Sequence, residues 1–419
     1  MIKIRSERGQ AIILLAFAII ALVGFAALAI DGGRILSDKR HAQNAADAAA
    51  FAGAFAYSRS TDIVTAAQSR ATSNEYDGGA LSDVTVTVVD SPAGVCPANT
   101  QGKDITVVID SYVKTTFARV LGRDEVKNTV IAISRSCGSF YGPPFDGNAI
   151  VSLSPSGIGY DANGNVGWNI TGGGIFSNSS SANAAHCQSN ASEISVPSVT
   201  VVGGYSWGNC DMNISGGSNN NATQLTYAMY ASLFPRQPIC NGTAYLSSGQ
   251  WHPQPGKDGS RVALNGDMDF APGLFCITNS PGPYHGELTG SEVTFYVMSP
   301  NFSITFNGSG NSFNATAPTD PDNEYRGILM YVAPQVDTNG NLLNTQEIDL
   351  RGNGDADIVG TIIAPSADVT MFGNSGTGAL NSQIIAYQVD AGGTADINLA
   401  YQVTDNYIAN LPFVVSLLR

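Results

Sequence analysis

The chain opens on one apolar block. Residues 11–30 are 20 consecutive positions without a charge. A helix rises about 1.5 Å per residue, so this block spans the ~30 Å hydrocarbon layer of a bilayer. Polar residues return at helical spacing over 34–57, within an alanine-rich stretch, and no proline stands between Ile2 and Pro92. The pattern predicts a continuous transmembrane and stalk helix over 1–58, roughly 70 Å long from about Ala11 to about Tyr57. A second, shorter helical pattern covers 60–75 and breaks at Asp77-Gly78-Gly79. The period then changes to two. Residues 84–89, 105–109 and 126–134 read as strands, with a short helix over 115–121 closed by Gly122. Together 59–137 form a small α+β module, and 138–147, with Pro143 and Pro144, form a linker.

From Asn148 helical periodicity nearly vanishes. Short apolar runs alternate with Gly, Asn, Ser and Asp, which predicts a large all-β domain over 148–419. Candidate strands are 199–202, 293–297, 328–332, 358–364, 369–372 and 384–389. The sequence also echoes itself. Leu350-Arg351-Gly352-Asn353 returns 21 residues later as Met371-Phe372-Gly373-Asn374, and Ile362-Ile363-Ala364 returns after 22 as Ile384-Ile385-Ala386. Such a period with Gly and Asn corners fits the coils of a right-handed β-helix. The alternative is a β-sandwich, which has short strands but does not predict the repeat. Apolar residues 411–418 are too few to span a membrane and are expected to cap or dock on the β domain, since a solenoid's end coil must be covered.

Charge sets direction and excludes some partners. Lys3, Arg5 and Arg8 precede the apolar block, so the positive-inside rule puts the N-terminus in the cytoplasm and the β domain outside the cell or in the periplasm. The rival is a cleaved signal peptide ending at Ala27-Leu28-Ala29, whose apolar core would be unusually long. The formal net charge is −14. With no basic patch beyond the first residues, nucleic acid is not an expected partner.

Six cysteines, Cys96, Cys137, Cys187, Cys210, Cys240 and Cys276, all follow the apolar block and form no C-x-x-C pair. Their even number predicts disulfides in an oxidising compartment, and locality favours the pairs 96–137, 187–210 and 240–276. In the stalk, Ala45, Ala46, Ala49 and Gly53 offer a small-residue face for a partner helix of the same or another subunit, or simply high helix propensity.

Chemistry is sparse. Four histidines lie far apart, and the nucleophile elbow, the zinc helix motif and the Walker loop are all absent from the sequence. The chain is therefore read as a non-enzyme. Asp267/Asp269 and Asp355/Asp357 are the carboxylate pairs that a carbohydrate-active β-helix would use. No cofactor is expected, with calcium as the one candidate. Asp161, Asn163 and Asn165 and, again, Asp337, Asn339 and Asn341 read D-x-N-G-N, and Asp320, Asp322 and Glu324 cluster. Asn-Gly is also a preferred hairpin corner. Glycosylation sequons occur at Asn169, Asn178, Asn190, Asn213, Asn221, Asn241, Asn301, Asn307 and Asn314.

The N-terminal residues carry a resemblance. Glu7-Arg8-Gly9-Gln10-Ala11, Asp31-Gly32-Gly33-Arg34, Gln43-Asn44-Ala45-Ala46-Asp47-Ala48-Ala49-Ala50 and Ala52-Gly53-Ala54 resemble the N-terminal domain of TadE/TadG-like proteins of the Flp (tight adherence) pilus system. Residues 84–134, with Thr116-Phe117-Ala118-Arg119-Val120-Leu121-Gly122, are similar to that family too. Gly173-Gly174-Ile175-Phe176-Ser177-Asn178-Ser179-Ser180 and Gly360-Thr361-Ile362-Ile363-Ala364-Pro365 resemble Gly/Asn-rich β-helical ectodomains of bacterial envelope proteins. The resemblance implies a pilus-associated or filament-forming subunit that contacts the lipid membrane and itself or other envelope subunits. A tethered adhesin binding surface glycans is the second reading, and a carbohydrate-active enzyme the third. Two departures stand out. The place where processed pilins carry a glutamate after the cleavage-site glycine is Leu14, counted from Gly9, so prepilin-peptidase cleavage is not expected. The metal-binding von Willebrand-type domain of many TadG-like proteins is absent from the sequence.

Overall fold

The structure is a computed structural model, described over residues 8–96, 100–164, 167–188, 193–208, 210–307, 312–353, 357–375, 379–393, 397–411 and 413–418. It divides into two compact units, 1–140 with 411–419, and 141–410.

The first unit is built on helix α1 (Arg8–Ser58), one uninterrupted helix as the proline-free sequence predicts. Its side chains from Ile12 to Ile30 are exposed apart from a half-buried Ala27, which gives one helix long and apolar enough to cross a membrane. Further along, the same helix becomes a core element. Ala42, Ala45, Ala46, Ala49, Ala50 and Ala54 recur every three or four residues, so they share one face, and each is fully buried. That face lies on helix α2 (Ile63–Thr72) and on strands β2 (Gly102–Lys114) and β3 (Glu125–Cys137), meeting Ala67, Ala71, Ile105, Val107, Ile109, Val130 and Ala132. Asp62 starts α2 by accepting from the Thr65 amide. Strand β1 (Ser82–Asp90) runs antiparallel to β2, and β2 antiparallel to β3 in unbroken register from Gly102↔Cys137 to Lys114↔Glu125. The buried positions of β2 and β3 alternate, as a sheet with one covered face requires. The predicted helix over 115–121 is a single 3-10 turn, Ala118–Leu121, closed by Gly122 at φ 82°. The chain's end does not cap a solenoid. Val414–Leu417, strand β4, pairs antiparallel with Ser134–Cys137 of β3 and makes the fourth strand of this sheet. Residues 411–419 therefore belong with the N-terminal unit, where β3 would otherwise leave a sheet edge unpaired and where Val415 packs against the core.

The second unit is almost entirely β, its described residues forming two large sheets of 17 and 11 strands. Among the described residues pairing in both is parallel, except for the hairpin Tyr245–Ser247 with Gln250–His252. The sequence echo is the ladder itself. Leu350 pairs with Met371 and Arg351 with Phe372, and Ile362-Ile363-Ala364 lies on Ile384-Ile385-Ala386.

Strands recur in three rows. In the first, Ser218–Asn219, Val199–Val201, Ile175–Ser177 and Ile150–Ser152 lead in parallel to Ile384–Gly393, then to Thr361–Ser375, Ile328–Val332, Val293–Val297 and Gly273–Ile277. The first strand of the unit thus pairs with one of its last. Residues 220–240 connect the two runs and lie over the outward side of this first row. Tyr331 and Tyr407 donate to the carbonyls of Pro235 and Leu233, Tyr296 donates to Gln237, and Cys240 is bonded to Cys276. Burial from both sides explains why Val293–Val297 and Ile328–Val332 are buried at every position and apolar throughout but for Thr294, whose hydroxyl donates to the Ile328 carbonyl. Leu225 is held at the other end by Asn178, whose amide both donates to and accepts from its backbone. The second row, from Ser303–Asn307 through Gln346–Asn353 to Tyr160–Ala162, lines up Thr305, Asp349, Thr370, Asp390 and Asp161 as register partners, and the third, from Trp168–Thr171 to Met268–Phe270, alternates. The inner faces of all three meet in one core.

Candidate functional sites: the helix latch and a polar groove

The first site lies where the apolar block ends. Asp31 is 5% exposed. One carboxylate oxygen accepts from the Thr116 amide at 2.9 Å, and the other from Phe117 at 2.9 Å and Ala118 at 2.7 Å. These amides open the 3-10 turn, so the side chain of α1 supplies the anion that the turn's free donors need. Arg34 Nη1 donates to Thr116 Oγ1 at 2.8 Å. A turn later Asp38 accepts from Ser111 Oγ at 2.9 Å, Asn128 Nδ2 at 2.7 Å and Tyr76 OH at 3.3 Å. Burial, and then the nearby Asp38, push the Tyr76 phenol well above its ordinary range. Ser134 Oγ closes the series on the Ala50 carbonyl at 2.6 Å. Charged hydrogen bonds of this kind fix a helix in orientation as well as in depth. The sequence held one signal for this latch, a carboxylate directly after the apolar block, and it was legible only through the resemblance at Asp31-Gly32-Gly33-Arg34.

Ala45, Ala46, Ala49 and Gly53 face inward. A Cβ on Gly53 would meet Ile105 Cγ2 at 3.0 Å and Ile63 Cγ2 at 3.3 Å. The chain's own sheet and α2 cover this face, so these residues do not offer it to a helix of another subunit. Sheet formation decides this, because bare alanines let the backbone of α1 approach β2 and β3 closely.

All three disulfides form in the predicted pairs, Cys96–Cys137, Cys187–Cys210 and Cys240–Cys276. The calcium candidates do not converge, and no group of three or more His, Cys, Asp or Glu able to hold a metal occurs among the described residues. Asp337 spends its oxygens on its own hairpin corner, accepting from the Asn339 and Asn341 amides and from Asn341 Nδ2, which holds its carboxyl below the usual range. Asp320 accepts from the Asp322 amide, and Glu324 is paired with Arg236 at 2.8 Å. Asp161 Oδ1 accepts from His186 Nδ1 at 2.9 Å, with Asn163 close by in sequence. Asn165, Asn190 and Asp355 lie outside the described residues, as does the side chain of Asn307. Among the other sequons, Asn169, Asn213, Asn221, Asn241 and Asn301 are exposed and Asn314 is half-buried. Asn178 is 1% exposed with both amide atoms used on Leu225, so it is a structural residue rather than an acceptor for glycan.

The structure does bring two sequence-flagged carboxylates together. Asp269 and Asp357 line one groove of about 320 Å³ on the outward side of the third row, with Gln250, Thr289 and Asn314. Asp269 accepts from Gln250 Nε2 at 2.7 Å and Thr289 Oγ1 at 2.9 Å. Asn314 Oδ1 accepts from the Asp357 amide at 2.9 Å. Asp267 lies apart from these, accepting from the Glu287 amide.

Residues 9–58 match the family model described as putative Flp pilus-assembly TadE/G-like, which covers the apolar block, the latch residues on α1 and the alanine face. No curated protein and no solved structure matches the chain.

Proposed function

We propose, from that match over 9–58, that this protein is a single-pass membrane-anchored envelope subunit serving the assembly of a Flp-type pilus or the adhesion it mediates. The match is the observation that carries the reading, and it falls on the residues that join anchor to module. The N-terminal Lys3, Arg5 and Arg8 support a cytoplasmic start and an external second unit. Three disulfides support an oxidising compartment for everything beyond α1. Parallel rows with a period near 22 support a β-helix over a sandwich, whose strands pair antiparallel. The reading assigns the chain a structural and binding role, with no catalysis and no cofactor. In a strain lacking this chain, negative-stain microscopy should show pili lost or reduced in number, with restoration by the full sequence. External protease should remove the second unit from intact cells or spheroplasts while α1 stays membrane-bound. Normal piliation without the chain, or a protected second unit, would overturn the proposal.

A further inference from the structure

The groove on the third row belongs to a longer pattern. Asp269, Thr289 and Asn314 are direct register partners on successive strands. Gln250 precedes Trp251, which pairs with Phe270, and Asp357 precedes Ile358, which pairs with Ala315. Five hydrogen-bonding side chains thus stand in line, one per strand. Neighbouring strands are about 4.8 Å apart, so the line is roughly 19 Å long. Beyond it, the row carries Asn398 beside Asn169, hydrogen-bonded at 3.3 Å, and then Ser195.

Three features define what would lie there. The groove is lined by carboxylates, amides and hydroxyls, with no Lys, Arg or His among its lining residues. A polyanion therefore finds acceptors and no cation. Asp269 is fixed by two donors and Asn314 by a backbone amide, so the groups are held in place before any ligand arrives. Pro272 gives the floor an apolar patch. One polar rung per strand is close to the rise of one sugar in an extended chain.

We infer that this line is a binding track for an extended, uncharged polysaccharide, one sugar to each rung. Ring hydroxyls donate to Asp269 and Asp357 and exchange hydrogen bonds with Gln250, Thr289 and Asn314, while a sugar's C–H face rests on Pro272. The track follows from the strand register of the second unit, so it stands independently of the pilus reading. Piliation and glycan retention can fail separately.

The test uses the full chain in detergent, passed over immobilised β-glucan, chitin, xylan and mannan, with polygalacturonate as the anionic comparison. The expected result is retention on a neutral polymer and none on polygalacturonate. With oligosaccharides of that polymer, affinity should climb with length to about five sugars, the number of rungs. Asp269→Ala should weaken it about tenfold, as the loss of one charged acceptor does. Asp357→Ala, at an exposed side chain, should do likewise with an unchanged melting temperature. No retention on any of the four neutral polymers, stronger retention on polygalacturonate, or affinity unchanged in Asp357→Ala would overturn the inference.

Discussion

Gly53 is the position where the helix and the sheet compete most openly. Intrinsic propensity favours replacing it, since glycine in a helix costs about 1 kcal/mol against alanine. Packing opposes the change. A Cβ there stands 3.0 Å from Ile105 Cγ2 and 3.3 Å from Ile63 Cγ2, and Ile105 is fully buried. A leucine must push into that core, and overpacking costs about 1 to 3 kcal/mol. Gly53→Leu should therefore leave the first unit weaker by up to about 2 kcal/mol, despite the better helix former. Ile105→Ala alone should cost about 2 to 5 kcal/mol through the cavity it leaves. In the double variant the leucine enters that cavity, so the two effects should fall short of their sum by about 0.5 to 3 kcal/mol. The three tryptophans, Trp168, Trp207 and Trp251, all lie in the second unit, so fluorescence is blind here. Amide hydrogen exchange along β2, at Val107 and Ile109, reads the right unit. Additive effects, or a Gly53→Leu chain better protected than the parent, would refute close packing of the alanine face on β2.

Acid should act oppositely on two carboxylates. Arg135, hydrogen-bonded to Asp104 at 2.7 and 2.8 Å, holds that carboxyl below its usual range, with Ser91 helping. Its stabilisation is present above the unfolded value near ~3.9 and is lost as pH falls through the folded value, so Asp104→Asn should flatten the acid limb of first-unit stability in hydrogen exchange. Asp390 is raised by burial, partly offset by Gln388 and reinforced by Asp161 and Asp368. A raised acid loses stability as pH climbs through its folded value, so Asp390→Asn should raise the melting temperature at pH 7 and not below the ordinary carboxylate range. Removing Cys187–Cys210, which closes 23 residues, should destabilise the second unit by about 3 kcal/mol in denaturant titrations followed by tryptophan fluorescence. In a host that glycosylates sequons, peptide mass spectrometry should find Asn178 bare in folded protein; occupancy there would contradict its burial.

The parts legible in the sequence were those set locally. An unbroken apolar block, a change of period from 3.6 to two, and a repeat near 22 residues all report nearest-neighbour geometry, and the repeat marks register partners residue for residue. What stayed hidden depended on distant partners. Nothing near Ile150 says that it will lie on Ile384, because both are simply apolar strand residues. The alanine face looked available because its cover, β2 and β3, lies some fifty residues or more away in the chain. The D-x-N-G-N runs offered the same oxygens to an ion or to a turn, and at Asp337 the adjacent amides take them. The groove is a product of register alone. The five polar rungs of its line are scattered from 250 to 357 and no window of sequence contains them.

The placement of β4 has a kinetic consequence. Strands β3 and β4 are neighbours in the sheet, yet the whole of residues 141–410 is threaded between them. Loop-closure entropy grows slowly with length, so the pairing is affordable at equilibrium, but it must wait for the intervening chain to be made and to condense. During synthesis the helix and three strands can assemble at once, whereas the fourth strand reaches its edge last.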